Sequence, residues 1–134
     1  MSEGRLRLRV ITPTRVVVEA DAETVTLPGA LGELGILPGH AALLTTMRIG
    51  ELAYRSGGHD HVLAVQNGFA EVEADVVTVL ADVAELPSEI DLAAAQADKT
   101  SAEAALKTAG GKKLDRELDR LEAAVTRIAV AARR

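Results

Sequence analysis

Short runs of alternating apolar and polar residues fill the first part of the chain. In RLRLRV, Leu6, Leu8 and Val10 fall on one side and three arginines on the other, the period-two pattern of a half-buried strand. Further alternating or β-branched runs predict strands at residues 16–18, 24–27, 61–65, 70–73 and 76–80. Pairs typical of turns separate them, namely Pro28-Gly29, Pro38-Gly39, Gly57-Gly58 and Asn67-Gly68. Many short strands at this spacing predict a β-sandwich or barrel.

The pattern becomes helical after Pro87. Ser88 is a candidate N-cap, and Asp91, three residues on, completes a capping-box pattern. The alanine-rich sequence that follows predicts a first helix, which we expect Gly110-Gly111 to end in a left-handed turn. A second helix is expected from about residue 112, with apolar positions alternately four and three apart, the seam of a coiled coil. The seam consists of Leu114, Leu118, Leu121, Val125, Ile128 and Ala132.

A two-glycine turn between the helices predicts an antiparallel hairpin. The expected fold class is therefore α+β, with a β-sandwich at residues 1–86 followed by a two-helix hairpin at residues 87–134. The two helices differ, because the second carries large apolar side chains while the first offers mostly alanine, which removes little area from water. Two interpretations follow. The hairpin is either held closed by a small free-energy difference, so that it can open, or docked permanently on the sandwich.

Composition removes several classes of function. The 134 residues contain no cysteine, which excludes disulfides, thiolate nucleophiles and cysteine-based zinc sites. The net charge of −5, together with one tyrosine and one phenylalanine, argues against a nucleic-acid partner and a base-stacking surface. The N-terminus lacks a signal-peptide pattern and no run approaches about 18 apolar residues, so we expect a soluble intracellular protein. Residues 1–86 carry 6 basic and 12 acidic residues, whereas residues 87–134 carry 9 and 8.

Candidate chemistry is sparse. The glycines at 29, 32 and 35, and the Gly-Gly-Lys-Lys sequence at 110–113, lack the spacing of phosphate-binding loops, so we interpret them as turn residues. His59-Asp60-His61 offers weak metal ligands, but an exposed hairpin tip is the favoured interpretation. His40 and Glu33 could form an acid–base pair, although no serine or cysteine nucleophile motif accompanies them.

Three segments together resemble the epsilon subunit of bacterial F-type ATP synthases. They are GELGILPGHAALL at 32–44, VQNGFAEVEADVVTVLAD at 65–82 and the helical sequence after LPSEIDLAAA at 86–95. The resemblance covers essentially the whole chain. It implies a flattened β-sandwich followed by two helices, and a non-catalytic rotor subunit of a proton-translocating complex on the cytoplasmic face of the bacterial plasma membrane, attached peripherally.

The resemblance also implies partners. The sandwich would bind the gamma subunit and rest on the c-ring, with Glu33 and His40 as candidate contacts. The hairpin would permit ATP hydrolysis when folded on the sandwich, and inhibit it when extended into the alpha and beta subunits. Basic residues of the second helix would then contact an acidic segment of beta. The candidates are Arg116, Arg120, Arg127, Arg133 and Arg134.

Some members of that family bind ATP in the folded hairpin through an I/L-D-x-x-R-A motif and further arginines. This chain has Ile90-Asp91-Leu92-Ala93-Ala94-Ala95, so Ala94 replaces the motif arginine. Ser101 and Ala123 fall on two of the other arginine positions, while Glu85, Asp91 and Arg127 match the site. Because phosphate recognition depends on charge-assisted donors, we expect weak or absent ATP binding and no cofactor. An ATP-sensing module remains the alternative function.

Overall fold

The computed structural model describes residues 4–133, in which strands come first and helices last. The α+β prediction of a β-sandwich followed by a two-helix hairpin is confirmed. The strands are β1 (Leu6–Ile11), β2 (Val16–Ala22), β3 (Thr24–Gly29), β4 (Gly32–Ile36), β5 (Leu43–Met47), β6 (Gly50–Ser56), β7 (His59–Glu73) and β8 (Val76–Glu85). A 3₁₀ turn at Pro87–Glu89 leads to α1 (Leu92–Leu106) and α2 (Gly111–Ala131).

The strands form one hydrogen-bonded network in the order β2-β1-β8-β7-β5-β3-β4, and β6 pairs with both β3 and β7. β1 runs parallel to β8, while its pairing with β2 is antiparallel. The network folds over a single apolar core. Leu6, Leu8 and Val10 are all buried in it, as the alternation in RLRLRV predicts. Valines of β8, at 77 and 79, continue the same core.

β7 differs from the sequence prediction. We expected two strands at 61–65 and 70–73 with a turn at Asn67-Gly68, but one strand runs through both. Its first half pairs with β6 and its second half with β5, so the strand bends from one layer to the other. Asn67 and Gly68 sit at the bend with φ of 55° and 124°. A Cβ at Gly68 would overlap the carbonyl oxygen of Leu80, so glycine is required there.

Other turn predictions had mixed outcomes. Gly57 and Gly58 both have positive φ and connect β6 to β7, as predicted. Pro38-Gly39 also forms a turn. The Pro28-Gly29 prediction is wrong, because this pair ends β3 and the reversal follows at residues 30–31. Sequence patterning also missed β4, β5 and β6, because GELGI, LLTTM and GELAYRS do not alternate strictly between apolar and polar residues.

The helix caps correct two further predictions. Ser88 is not the N-cap; Asp91 caps α1, and its Oδ1 accepts a 3.0 Å hydrogen bond from the Ala94 amide. α1 ends at Leu106 with Lys107 in a right-handed conformation, so no left-handed glycine terminates it. The left-handed residue is Gly111, with φ of 58°, at the beginning of α2.

The hairpin buries small residues. α1 buries Ala95 and Ala102, and α2 buries Ala124, Val130 and Ala131. Two residues of the predicted seam, Leu118 and Val125, are each 47% exposed, so the prediction of a continuous buried seam is wrong. The alanines of α1 are too short to cover large side chains on the neighbouring helix.

Candidate functional site

The hairpin contacts the sandwich through a small apolar cluster at the C-terminal end of α2. The cluster consists of Val62, Ala64, Ile90, Val130 and Ala131. Val62 and Ala64 belong to the first half of β7, and Ile90 lies just before α1. Alternation along β7 directs these two residues outward, because Leu63 and Val65 point into the main core. The outward face of β7 is therefore the surface that receives α2.

An ion pair lies beside this cluster. Arg127 of α2 donates from Nε and Nη2 to the two carboxylate oxygens of Glu85, at 2.8 and 3.1 Å. Glu85 is the last residue of β8, so the pair joins the sandwich to the hairpin. The side chains are only 18% and 20% exposed. A bidentate pair with this much burial is geometrically specific. Removing one partner from it costs more folding free energy than removing one partner from a surface pair, because the other charge stays buried.

Other arginines predicted to contact a partner also face carboxylates. Arg120 lies 3.3 Å from Asp98 of α1 and 3.4 Å from Glu117 of its own helix. Arg133 lies 3.6 Å from Glu51 of β6. Arg116 is exposed on α2. Arg134 is the remaining predicted contact and lies outside the described residues.

A cleft of about 430 Å³ separates the hairpin from the sandwich. Its charged lining comprises Glu85, Asp98, Asp119, Arg120 and Arg127. Of the three residues matched to a nucleotide site, Glu85 and Arg127 bind each other here. The third, Asp91, uses its carboxylate to cap α1. Three carboxylates and two occupied guanidinium groups make this cleft a poor environment for phosphate.

Glu33 and His40 are not brought together. Glu33 is exposed near the start of β4 and lines a second cleft, of about 410 Å³, with Arg48 and Glu122. β4 then extends to Ile36, and the strand rise places Leu37 about 14 Å from Glu33. The amide of His40 donates to the Leu37 carbonyl at 3.1 Å, so His40 remains at that far end. An acid–base pair of the two residues has no geometric support.

The His40 loop is held by local hydrogen bonds. The Nδ1–H of His40 donates to the Ala41 carbonyl at 2.8 Å, which fixes the ring against its own loop. Gly39 donates its amide to Asp75 Oδ1 at 2.8 Å, tying the loop to the turn between β7 and β8. His40 thus occupies a structured protein surface at this end of the sandwich.

The His59-Asp60-His61 segment follows the β6–β7 turn, as the hairpin-tip interpretation predicts. His61 stacks on Tyr54 with a 4.7 Å centroid separation, and Asp60 accepts from Arg55 at 2.9 Å. Burial raises the pKa of Tyr54. Within residues 4–133, no group of three or more side chains is arranged to hold a metal ion.

A further ion pair fastens the segment between the two parts. Arg15 Nη2 donates to Glu89 Oε1 at 2.7 Å, and the Leu86 amide donates to the same oxygen at 2.9 Å. Hydrogen bonds from Arg15 and from the Leu86 backbone lower the pKa of Glu89. Sequence analysis missed Glu51, Glu89 and Asp98, because each pairs with an arginine distant in the sequence and no local motif marks such pairs. No helix in the described part of the chain is long and apolar enough to span a membrane.

Comparison with known proteins agrees with this architecture. The family described as "ATP synthase, Delta/Epsilon chain, beta-sandwich domain" matches residues 5–87. The ATP synthase epsilon chain of Citrifermentans bemidjiense is 48% identical over 103 residues, which are 77% of this chain and 75% of the relative. That of Geotalea uraniireducens is 43% identical over 126 residues, 94% of this chain and 90% of the relative. The second similarity extends through the hairpin.

Two solved assemblies contain chains of the same fold. A chain in the Euglena gracilis mitochondrial ATP synthase structure of OSCP, F1 and c-ring superposes with a TM-score of 0.83 at 20% identity. The alignment covers 100% of this chain and 84% of that one. A chain in the Tetrahymena thermophila mitochondrial ATP synthase central stalk and c-ring matches with a TM-score of 0.63 at 12% identity, covering 99% and 98%. At these identities the likeness concerns the fold.

Proposed function

This chain belongs to the delta/epsilon-chain family of ATP synthases, and we propose that it couples the gamma subunit to the c-ring of a proton-translocating complex. An epsilon chain is an accessory subunit of the central stalk and is not catalytic. The observation that carries the proposal is similarity to a named epsilon chain at 43% identity over 94% of this chain, through both the sandwich and the hairpin. The complex would hold this chain peripherally on the cytoplasmic face of the bacterial plasma membrane.

The two proposed coupling contacts lie in different elements, with Glu33 in β4 and His40 in the loop that follows it. Glu33, at the start of β4, is proposed to contact the polar loops of the c-ring. His40, beyond the other end of β4, would contact gamma or the neighbouring part of the ring. Because β4 separates Glu33 from Leu37 by about 14 Å, and His40 lies in the loop at the Leu37 end, the two residues can serve different partners at one joint. Glu33→Ala with His40→Ala should weaken the coupling of ATP turnover to proton transport, and unchanged coupling rejects both assignments.

The hairpin is proposed to inhibit ATP hydrolysis when it extends into the alpha and beta subunits. Its arginines would then contact the acidic segment of beta. Support comes from the cluster that attaches α2 to β7, since five small or medium-sized apolar side chains provide little buried area. A hairpin attached in this way can detach without disturbing the sandwich core.

Removal of residues 87–134 tests the inhibitory role. The truncated chain should still bind gamma, while hydrolysis by the assembled complex should rise. The truncated chain should also carry Val62→Ser, because the deletion exposes this apolar residue of the attachment cluster to solvent. A complex whose hydrolysis is unchanged by truncation, with normal assembly, removes the inhibitory role and leaves the coupling role intact.

ATP sensing by the folded hairpin is the second candidate function. The match of Glu85, Asp91 and Arg127 to positions of the family's nucleotide site favours this function. Against it, the cations that line the cleft within residues 4–133 are Arg120 and Arg127, and both face carboxylates. We therefore expect Mg-ATP to bind the isolated chain with a millimolar or weaker dissociation constant in calorimetry. Ala94→Arg restores the motif arginine and should tighten binding. Micromolar binding by the unmodified chain would instead establish the sensing function.

A further inference from the structure

We propose that the Glu85–Arg127 ion pair holds the folded hairpin on the sandwich and, while it does so, withholds Arg127 from any acidic partner. The inference rests on the proposed inhibitory role only for the identity of that partner. The holding contact itself is a property of the isolated chain. Glu85 would thus act as an internal competitor for the arginine that an extended hairpin presents.

The position of the pair supports a holding role. Glu85 ends β8, and only Leu86 separates it from the 3₁₀ turn that leads into the hairpin. Arg127 lies one helical turn before Val130 and Ala131, the residues of α2 that enter the attachment cluster. Two adjacent contacts, one apolar and one charged, therefore join the C-terminal part of α2 to β7 and to the end of β8. Detachment of this end breaks both.

Charge makes the folded and partner-bound states exclusive. In the folded chain, Nε and Nη2 of the Arg127 guanidinium group both donate to the carboxylate of Glu85. Because the Arg127 side chain is only 18% exposed, an acidic segment of a partner cannot reach its remaining donors freely while α2 stays docked. Glu51 repeats the arrangement with Arg133 at 3.6 Å, although both side chains are well exposed and this pair contributes little. Glu85 is therefore the carboxylate with the strongest hold on α2.

Loss of the Glu85 charge should release the hairpin. In Glu85→Gln, Arg127 remains mostly buried without its counter-ion, which disfavours the folded arrangement. The expected shift in the opening equilibrium is roughly tenfold or more, the scale for a partly buried charge-assisted pair. Opening then uncovers the outward face of β7.

Thiol labelling measures that opening, because the natural sequence contains no cysteine. Ala64→Cys places one thiol under α2, where Ala64 is 1% exposed. Its labelling rate in the full-length chain, under conditions of rapid reclosing, is proportional to the opening equilibrium. Ala70→Cys is the matched control, since Ala70 is equally buried but lies in the sandwich core. Glu85→Gln should accelerate labelling at position 64 by roughly tenfold and leave position 70 unchanged.

Two further variants separate pairing from general destabilisation. Glu19→Gln removes a carboxylate from a pair confined to β1 and β2, and should not affect labelling at position 64. Glu85→Arg with Arg127→Glu restores opposite charges and should slow labelling relative to either single change. Unchanged labelling in Glu85→Gln, or equal acceleration at position 70, overturns the proposal. Neither result depends on hydrolysis, so failure here is distinct from failure of the inhibitory role.

Discussion

Changes at Glu85 and at Arg127 should have different effects on ATP hydrolysis by the assembled complex when each is made alone. Glu85→Gln releases the hairpin with its arginine available, so ATP hydrolysis should fall below that of the unmodified complex. Arg127→Ala also breaks the pair but removes the cation that an acidic partner would bind, so hydrolysis should not fall. Steady-state hydrolysis assays on purified complexes measure both. A fall of equal size in the two variants would mean that Arg127 has no part in inhibition.

Glu89 should make the folding stability of the chain depend on pH in the acid range. The hydrogen bond from Arg15 is the main cause that lowers the pKa of Glu89 in the folded chain below its ordinary value of 4.5. The contribution of Glu89 to stability is therefore present above about pH 4.5 and is lost as pH falls through the lower folded pKa. Thermal unfolding between pH 3 and pH 7 should show a smaller acid-side decrease in Glu89→Gln than in the unmodified chain. Glu103→Gln, at an exposed position on α1, should keep the original pH profile.

Sequence analysis could assign residue types at this scale but not their partners. The resemblance to the family's nucleotide-binding motif assigned Glu85, Asp91 and Arg127 to one site. It could not reveal that Glu85 and Arg127, which are 42 positions apart, bind each other while Asp91 caps a helix. Pairing across such a separation depends on how α2 docks on β7, next to the end of β8. That docking depends on tertiary packing between the helix and the sheet, which cannot be predicted from a local sequence pattern.

At the scale of elements, the bend in β7 requires its glycine. Gly68→Ala should destabilise the sandwich by about 2–4 kcal/mol, because φ is 124° and the added methyl overlaps the Leu80 carbonyl. Gly35→Ala is the control, since no heavy atom lies within 4 Å of a Cβ built there. Denaturant unfolding of both variants measures the difference. Equal stability of the two would show that the bend adapts to a side chain.

α2 should tolerate changes on its predicted seam better than changes at its end. Leu118 is 47% exposed, so Leu118→Gln should alter the free energy of unfolding by about 1 kcal/mol or less. Val130 is fully buried, and Val130→Ala should cost roughly 1–3 kcal/mol. Denaturation followed by helical circular dichroism compares them. A larger cost at Leu118 would mean that the seam is buried in solution.

The same comparison explains which elements could be predicted. Strict alternation predicted β1, and alanine content together with the Pro87 boundary predicted a helical hairpin, because these patterns depend only on neighbouring residues. The seam prediction failed because burial depends on the facing helix, and α1 presents alanine. The strands β4 to β6 were missed because their own residues do not alternate strictly, whereas hydrogen bonding to β3 and β7 keeps their backbones extended.

At the scale of the whole molecule, the two parts should open independently. The sandwich has a large continuous core, whereas five residues form the cluster that attaches α2. Native-state hydrogen exchange should therefore show α2 amides opening at a lower free energy than the amides of β1 and β8. Glu85→Gln should lower protection in α2 while leaving those strands unchanged. If helix and strand amides share one opening free energy in both proteins, the hairpin is a permanent part of a single cooperative unit. A hairpin of that kind could leave the sandwich only through global unfolding, which would be incompatible with a regulatory movement.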